Sequence, residues 1–333
     1  MANLAIGRDY YLGMSTSPRS YYVKLGGNTI FNGKAYTRPG DAQPFVRVND
    51  IAAPYLKQAW PGGNFPGEGG SAYVPQGDIS RTFKVYDAST NSQIGNDLDF
   101  CYDWSGDAAT PPTALGNAGP HRPIKALAFK DMPLILTLYN NAPLTAIGDT
   151  GVEVQTTTTS PAVVLSYGGV GNYLLEQSSD YIADSDKYIR WGCLRFDLVP
   201  ACAIEKVLYY VNAYGAWDCL AMEGRCSEGY DYERHTLRQV YNNTNPVAAG
   251  EVNYANGYRR KWTLRTGWID ELGASRMHHL VGTTLAVLLD VASNTYTPVT
   301  IQDTELLVRD YKSEGAPVQY AINVQEAREG TRR

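Results

Sequence analysis

Residues 190–223 read RWGCLRFDLVPACAIEKVLYYVNAYGAWDCLAME. An apolar run, a proline corner, a second apolar run, a Gly-containing turn and a third apolar run follow one another. Each run is five to nine residues long and rich in β-branched and aromatic side chains, which is the pattern of buried strands. Tyr209, Tyr210, Tyr214 and Trp217 crowd the middle of the stretch. The reading is a β-sandwich, and nothing in these residues resembles a catalytic motif.

Working outward, the chain has 333 residues and a net charge of −5. At roughly 150 residues per domain this length suggests two domains. A chain of this size buries enough surface to form a core without disulfides or a metal. Mild acidity argues against a nucleic-acid surface, which needs a basic footprint. The 32 Gly and 18 Pro punctuate many turns, and the 25 Tyr suit sheet faces. Arg outnumbers Lys by 19 to 10. Tyr and Arg enrichment with few Lys is also the composition of subunit interfaces. Both readings of the tyrosines, sheet filling and interface, stay open.

Five cysteines in a long chain do not make a disulfide framework. The opening MANLAIGRDYYLGMS has no apolar core of signal-peptide length, and no run of about 18 apolar residues exists. The expectation is a soluble protein made in a reducing cytoplasm.

Strands are expected at 20–25 and 29–31, joined by the turn Gly26-Gly27-Asn28, then at 44–49, 81–86, 98–104 and 133–139. Residues 60–77 and 105–123 are Gly/Pro-rich loops, and 141–151 read as a linker. The expected domains are therefore 1–150 and 151–333. In the second, strands are expected at 152–159, 162–167, 188–196, 204–214, 217–222, 235–241, 259–266, 285–291, 299–301, 305–309 and 318–325. One helix is expected over 270–281, on the spacing of Leu272, Met277, Leu280 and Val281. The last eight residues, EAREGTRR, read as a frayed end. The fold class is all-β, with two sandwich-like domains and one short helix in the second.

Candidate chemistry is sparse. Cys219, Cys226 and His235 have a C-x6-C-x8-H spacing, too wide for a structural zinc site. Adjacent His278 and His279 point about 100° apart on a helix and do not chelate one ion. Asp97, Asp99, Asp103 and Asp107 lack the alternating oxygens of a calcium loop. Gly168-Gly169-Val170-Gly171 lacks the Lys-Ser/Thr of a phosphate loop and reads as a turn. No Gly-x-Ser-x-Gly elbow is present. No cofactor or metal site is assigned. Trp60, Phe65, Tyr73 and Trp104, in or beside long loops, either anchor those loops or stack on sugar rings.

Three stretches carry a resemblance: IFNGKAYTRPG…FVRVNDIAAPYL over 30–56, LRFDLVPACAIEKVLYYVNAYGAWDCLAMEG over 194–224, and KWTLRTGWIDE with PVTIQDTELLVRDYKSEGAPVQYAINVQEA over 261–327. Together they resemble tail-associated structural proteins of bacteriophages that infect gut bacteria, of the distal-tail or tail-hub adaptor kind. The resemblance implies sandwich domains assembled in a ring near the tail tube, in a virion built in the host cytoplasm. It implies partners that are further copies of the chain and other tail or connector proteins. It transfers no active site.

The expected function is that of a structural, non-catalytic virion component. The candidate interface residues are Trp60, Phe65 and Tyr73 in the first long loop, Tyr214 and Trp217 at the turn, and Arg276, His278 and His279 on the helix. Two rivals remain: a carbohydrate-binding receptor-recognition protein, and a β-sandwich glycoside hydrolase with two carboxylates facing a cleft.

Overall fold

The structure is a computed structural model that describes residues 4–14, 19–37, 39–62, 71–104, 125–129, 134–138, 151–154, 163–164, 171–175, 188–191, 194–199, 204–238, 251–269, 277–303, 319–328 and 330–332. The chain is all-β with sandwich-like domains. It forms two compact units, Met1–Val199 with Val211–Asp218, and Pro200–Tyr210 with Cys219–Arg333.

In the first unit a five-stranded sheet runs in the order Leu4–Ala5, Leu98–Cys101, Ser80–Asp87, Arg19–Leu25, Asn28–Ala35. Only its first pair is parallel, with Leu4 beside Phe100. Val23, Phe83, Val85 and Phe100 are fully buried on this sheet. Phe83 meets Phe100 edge-on at 5.9 Å and Tyr55 at 6.5 Å, the geometry that ring quadrupoles favour. The turn at Gly26 has φ +59°, a conformation that glycine adopts without cost. A three-stranded sheet joins Ser71–Pro75, Gly171–Leu175 and Leu134–Leu138. A further five-stranded sheet runs Val163–Val164, Gly151–Val154, Tyr188–Trp191, Leu194–Val199, Lys125–Phe129.

Asp87 closes the end of one central strand. Its side chain is 1 % exposed and pairs with Arg19. It accepts from the Ser89 hydroxyl at 2.6 Å and the Ser89 N–H at 2.7 Å. These Ser89 bonds, with Arg19 behind them, hold its carboxyl below the usual carboxylate range. A depressed folded pKa means the unfolded chain binds the proton more readily. The stabilisation is complete above about pH 4 and is lost as pH falls through the folded value. Urea midpoints measured between about pH 2 and 5 should therefore fall with acid, and Asp87→Asn should flatten that slope.

A further sheet has eight strands. Its order is Trp217–Met222, Lys206–Val211, Ala286–Asp290, Thr295–Ile301, Ala321–Glu326, Glu251–Arg265, Ser227–Arg238, and Gly330–Arg332 also pairs with Glu251–Arg265. Val207 to Val211 and Trp217 to Met222 are buried at every position. Burial on both faces explains why these strands read as continuous apolar runs and not as alternating ones. Lys206 closes the end of the adjacent pair by bonding Asp290.

Several expectations are corrected. The run over 44–49 is a strand only at Phe45–Arg47, and Asn49–Ala52 is a short helix. The expected strand 188–196 is two antiparallel strands, Tyr188–Trp191 and Leu194–Val199. The strand expected at 235–241 runs over Ser227–Arg238, and that at 259–266 over Glu251–Arg265. The end expected to fray carries Gly330–Arg332, paired to Asn256–Tyr258. Helix is present at 277–281, while 270–276 and the strand expected at 305–309 lie outside the described residues. The sequence divides the chain at 150. Ladders nevertheless join Ser71–Pro75 to Gly171–Leu175 and Lys125–Phe129 to Leu194–Val199, across that point.

Candidate assembly surface and aromatic groove

The turn that decides the fold is built by Asn212 and Gly215. The Asn212 N–H donates to the Ala216 carbonyl at 2.8 Å, and its side-chain oxygen accepts from the Ala216 N–H at 3.0 Å. Gly215 adopts φ +78° and its carbonyl accepts from the buried Gln58 amide at 2.8 Å. Trp217 then lies inside the first unit at 1 % exposure. Its indole N–H donates to the Ala59 carbonyl at 3.1 Å, and its ring meets Trp60 edge-on at 5.0 Å. Trp217 is thus a core residue and offers no surface to a partner, contrary to its expected role. Trp60 and Tyr214 are half-buried.

His278 is exposed and His279 is 8 % exposed, so the pair straddles the surface. Their rings pack at 3.7 Å between centroids, closer than the sequence spacing suggested. Among the described residues no group of three metal-ligating side chains converges. Tyr73 lies in the strand Ser71–Pro75, opposite Tyr173, and not in a loop as expected. Phe65 and Arg276 lie outside the described residues. Of the expected candidates, the structure brings Trp60 against Trp217 and His278 against His279.

The surface the sequence reading missed is the long ribbon of Ser227–Arg238 and Glu251–Arg265 in the second unit. Tyr232 faces Tyr258 across it, and Tyr230 faces Arg260. Alternation puts Tyr230, Tyr232 and Tyr258 on one face, with ring centroids 6.1 to 6.4 Å apart. Tyr230 and Tyr232 are 53 % and 57 % exposed. At the ribbon's base Arg260 donates to Glu326 at 3.0 and 3.3 Å while lying 5.3 Å above the Trp262 ring. On the opposite face Lys261 pairs with Asp231 at 2.7 Å. Among the described residues no strand pairs with the outer edge of Ser227–Arg238. The signal was the alternation in EGYDYE, masked by acidic residues that are uncommon in strands.

A second surface lies in the first unit. Tyr21, Phe31, Tyr36 and Phe45 line a groove of about 650 Å³, with Lys34, Arg47 and Asp50 at its sides. Tyr21 and Phe31 pack together in this lining, their rings 5.9 Å apart and tilted by 35°. Gly33 makes this packing possible. A methyl group there would sit 2.6 Å from the Phe31 ring and 2.8 Å from the Tyr21 hydroxyl. Phe31, Phe45 and Tyr36 remain 39 %, 43 % and 63 % exposed. Arg47 is held between two carboxylates, Asp9 at 2.6 Å and Asp50 at 3.6 Å.

No family model matches the chain, and no curated protein matches it.

Proposed function

We propose that the chain is a structural component of a tailed bacteriophage virion, a ring-forming tail or connector protein that acts by assembly and not by catalysis. The observation that supports this reading most is the tyrosine-lined ribbon of Ser227–Arg238 and Glu251–Arg265. Half-exposed tyrosines clustered with arginine are the side chains that carry interface energy. An unpaired strand edge is a template for another chain unless something covers it. In a ring each subunit presents one patch to a different patch of its neighbour, and the contact closes when the rotation allows. The resemblance of 30–56, 194–224 and 261–327 to tail-associated proteins supports the same reading.

The test is the solution mass by light scattering, with negative-stain imaging of the same sample. A closed ring of several subunits is expected. The double substitution Tyr230→Ala, Tyr232→Ala should dissociate it while leaving the melting temperature of the subunit within a few degrees. A ring that survives the double substitution would remove the ribbon from the interface. A monomer at every accessible concentration would count against self-assembly altogether.

A further inference from the structure

The aromatic groove of the first unit has no part in the function proposed above. We propose that it is a subsite for a neutral glycan, taking one or two hexose rings of an oligosaccharide. Its volume of about 650 Å³ falls within the range of small-ligand sites. Its lining includes four aromatic rings, Tyr21, Phe31, Tyr36 and Phe45. A hexose presents a patch of C–H groups on one face, apolar and slightly positive. The negative face of an aromatic ring is the matching surface.

The rim supplies the complementary chemistry. Sugar hydroxyls around the ring edge need donors and acceptors in fixed positions. Arg47 and Asp50 in the lining give both, a guanidinium fork and carboxylate oxygens, and Asp9 beside them helps hold Arg47 in place. With Lys34 counted, two cations stand against the two carboxylates Asp9 and Asp50, so the groove presents no net positive charge to attract an anion. A neutral, polyhydroxylated ligand satisfies it better than a phosphate or an acidic peptide does.

An added peptide strand is the other occupant to weigh, because Asn28–Ala35 ends its sheet. Two features discourage it. A bulge breaks the ladder to Arg19–Leu25 between Val23 and Lys24, and Lys34 lies on the end strand beside the groove. Bulges and lysines on end strands are the devices by which sheets refuse further pairing.

The experiment uses the full-length protein and a panel of neutral glucose, mannose and N-acetylglucosamine oligosaccharides, read by saturation-transfer NMR and calorimetry. Binding of at least one class is expected. Tyr36→Ala and Phe45→Ala should each weaken it about tenfold, the scale of one lost aromatic contact. Both side chains are exposed, so the fold should stand, and a melting curve checks this. Trp268→Ala, which removes a 72 % exposed ring elsewhere, should leave affinity unchanged. Binding that ignores Tyr36→Ala and Phe45→Ala would overturn the proposal by placing the sugar elsewhere. No binding by any sugar would overturn it as well. If the same two substitutions then lowered the solution mass, the occupant would be a second copy of the chain. The tyrosine-ribbon variants separate this result from the assembly reading, since they should alter mass and leave sugar binding intact.

Discussion

Replacing Trp217 by alanine should cost the first unit about 3–5 kcal/mol of folding stability. The side chain is 1 % exposed and is among the largest fully buried side chains of the described residues. Its loss would leave a cavity beside Trp60, whose ring now meets it at 5.0 Å. It would also strip the Ala59 carbonyl of its indole donor. The bond from the Trp217 backbone N–H to the Thr137 hydroxyl, at 3.3 Å, survives the substitution, so the strand itself should persist. Trp217→Phe separates the two contributions. It keeps most of the packing and loses one hydrogen bond, worth about 1 kcal/mol. Urea unfolding followed by circular dichroism measures both. A residue serving an intersubunit contact behaves differently: its alanine variant stays stable and changes mass. Should Trp217→Ala fold within 1 kcal/mol of the parent, the core assignment fails.

The contrast between Trp217 and the ribbon tyrosines explains what the sequence could carry. The strands Lys206–Val211 and Trp217–Met222 were legible because both faces are buried, so each is an unbroken apolar run, and the Asn212–Gly215 turn lies between them. The same burial hid the role of Trp217. An aromatic next to a turn looks alike whether it faces inward or outward, and only the packing of residues 58–60 against the turn decides it. The ribbon failed for the opposite reason. Glu228, Asp231 and Glu233 are poor strand formers in isolation, and pairing with Glu251–Arg265 overrides that preference. The groove was invisible because its rings come from 21, 31, 36 and 45, brought together by a hairpin and a two-stranded pairing of Tyr11–Gly13 with Phe45–Arg47. The three residues Gly330–Arg332 carry no pattern at all, and a partner strand alone orders them.

Asn49 is the second position where one side chain should decide stability. The run FVRVND reads as a strand to its end, because Val46 and Val48 alternate with polar neighbours. The chain instead turns into the helix Asn49–Ala52 after Arg47, and the Asn49 side chain is 3 % exposed. Its amide reads the backbone of the N-terminal segment. The side-chain oxygen accepts from the Tyr10 N–H at 2.7 Å, and the nitrogen donates to the Ile6 carbonyl at 2.8 Å and to the Arg8 carbonyl. Asn49→Ala strands a backbone donor and two acceptors, of which the Ile6 carbonyl is buried, and should cost about 2–4 kcal/mol. Asn49→Asp is the sharper test. The carboxylate has nearly the same shape, but it has no proton to offer the two carbonyls and would carry its charge into a buried site. Burial and those carbonyls raise its folded pKa above the unfolded value, so the penalty is full at neutral pH. As pH falls below the folded pKa the neutral acid regains one donor, and most of the loss should return by about pH 4. The parent, which carries an amide there, shows no such recovery. If Asn49→Asp matches the parent in urea at pH 7, the amide fills space and does not bind the N-terminal backbone. If it loses stability at pH 7 and regains it in acid, the hydrogen bonds of Asn49 are what hold residues 4–10 beside their sheet.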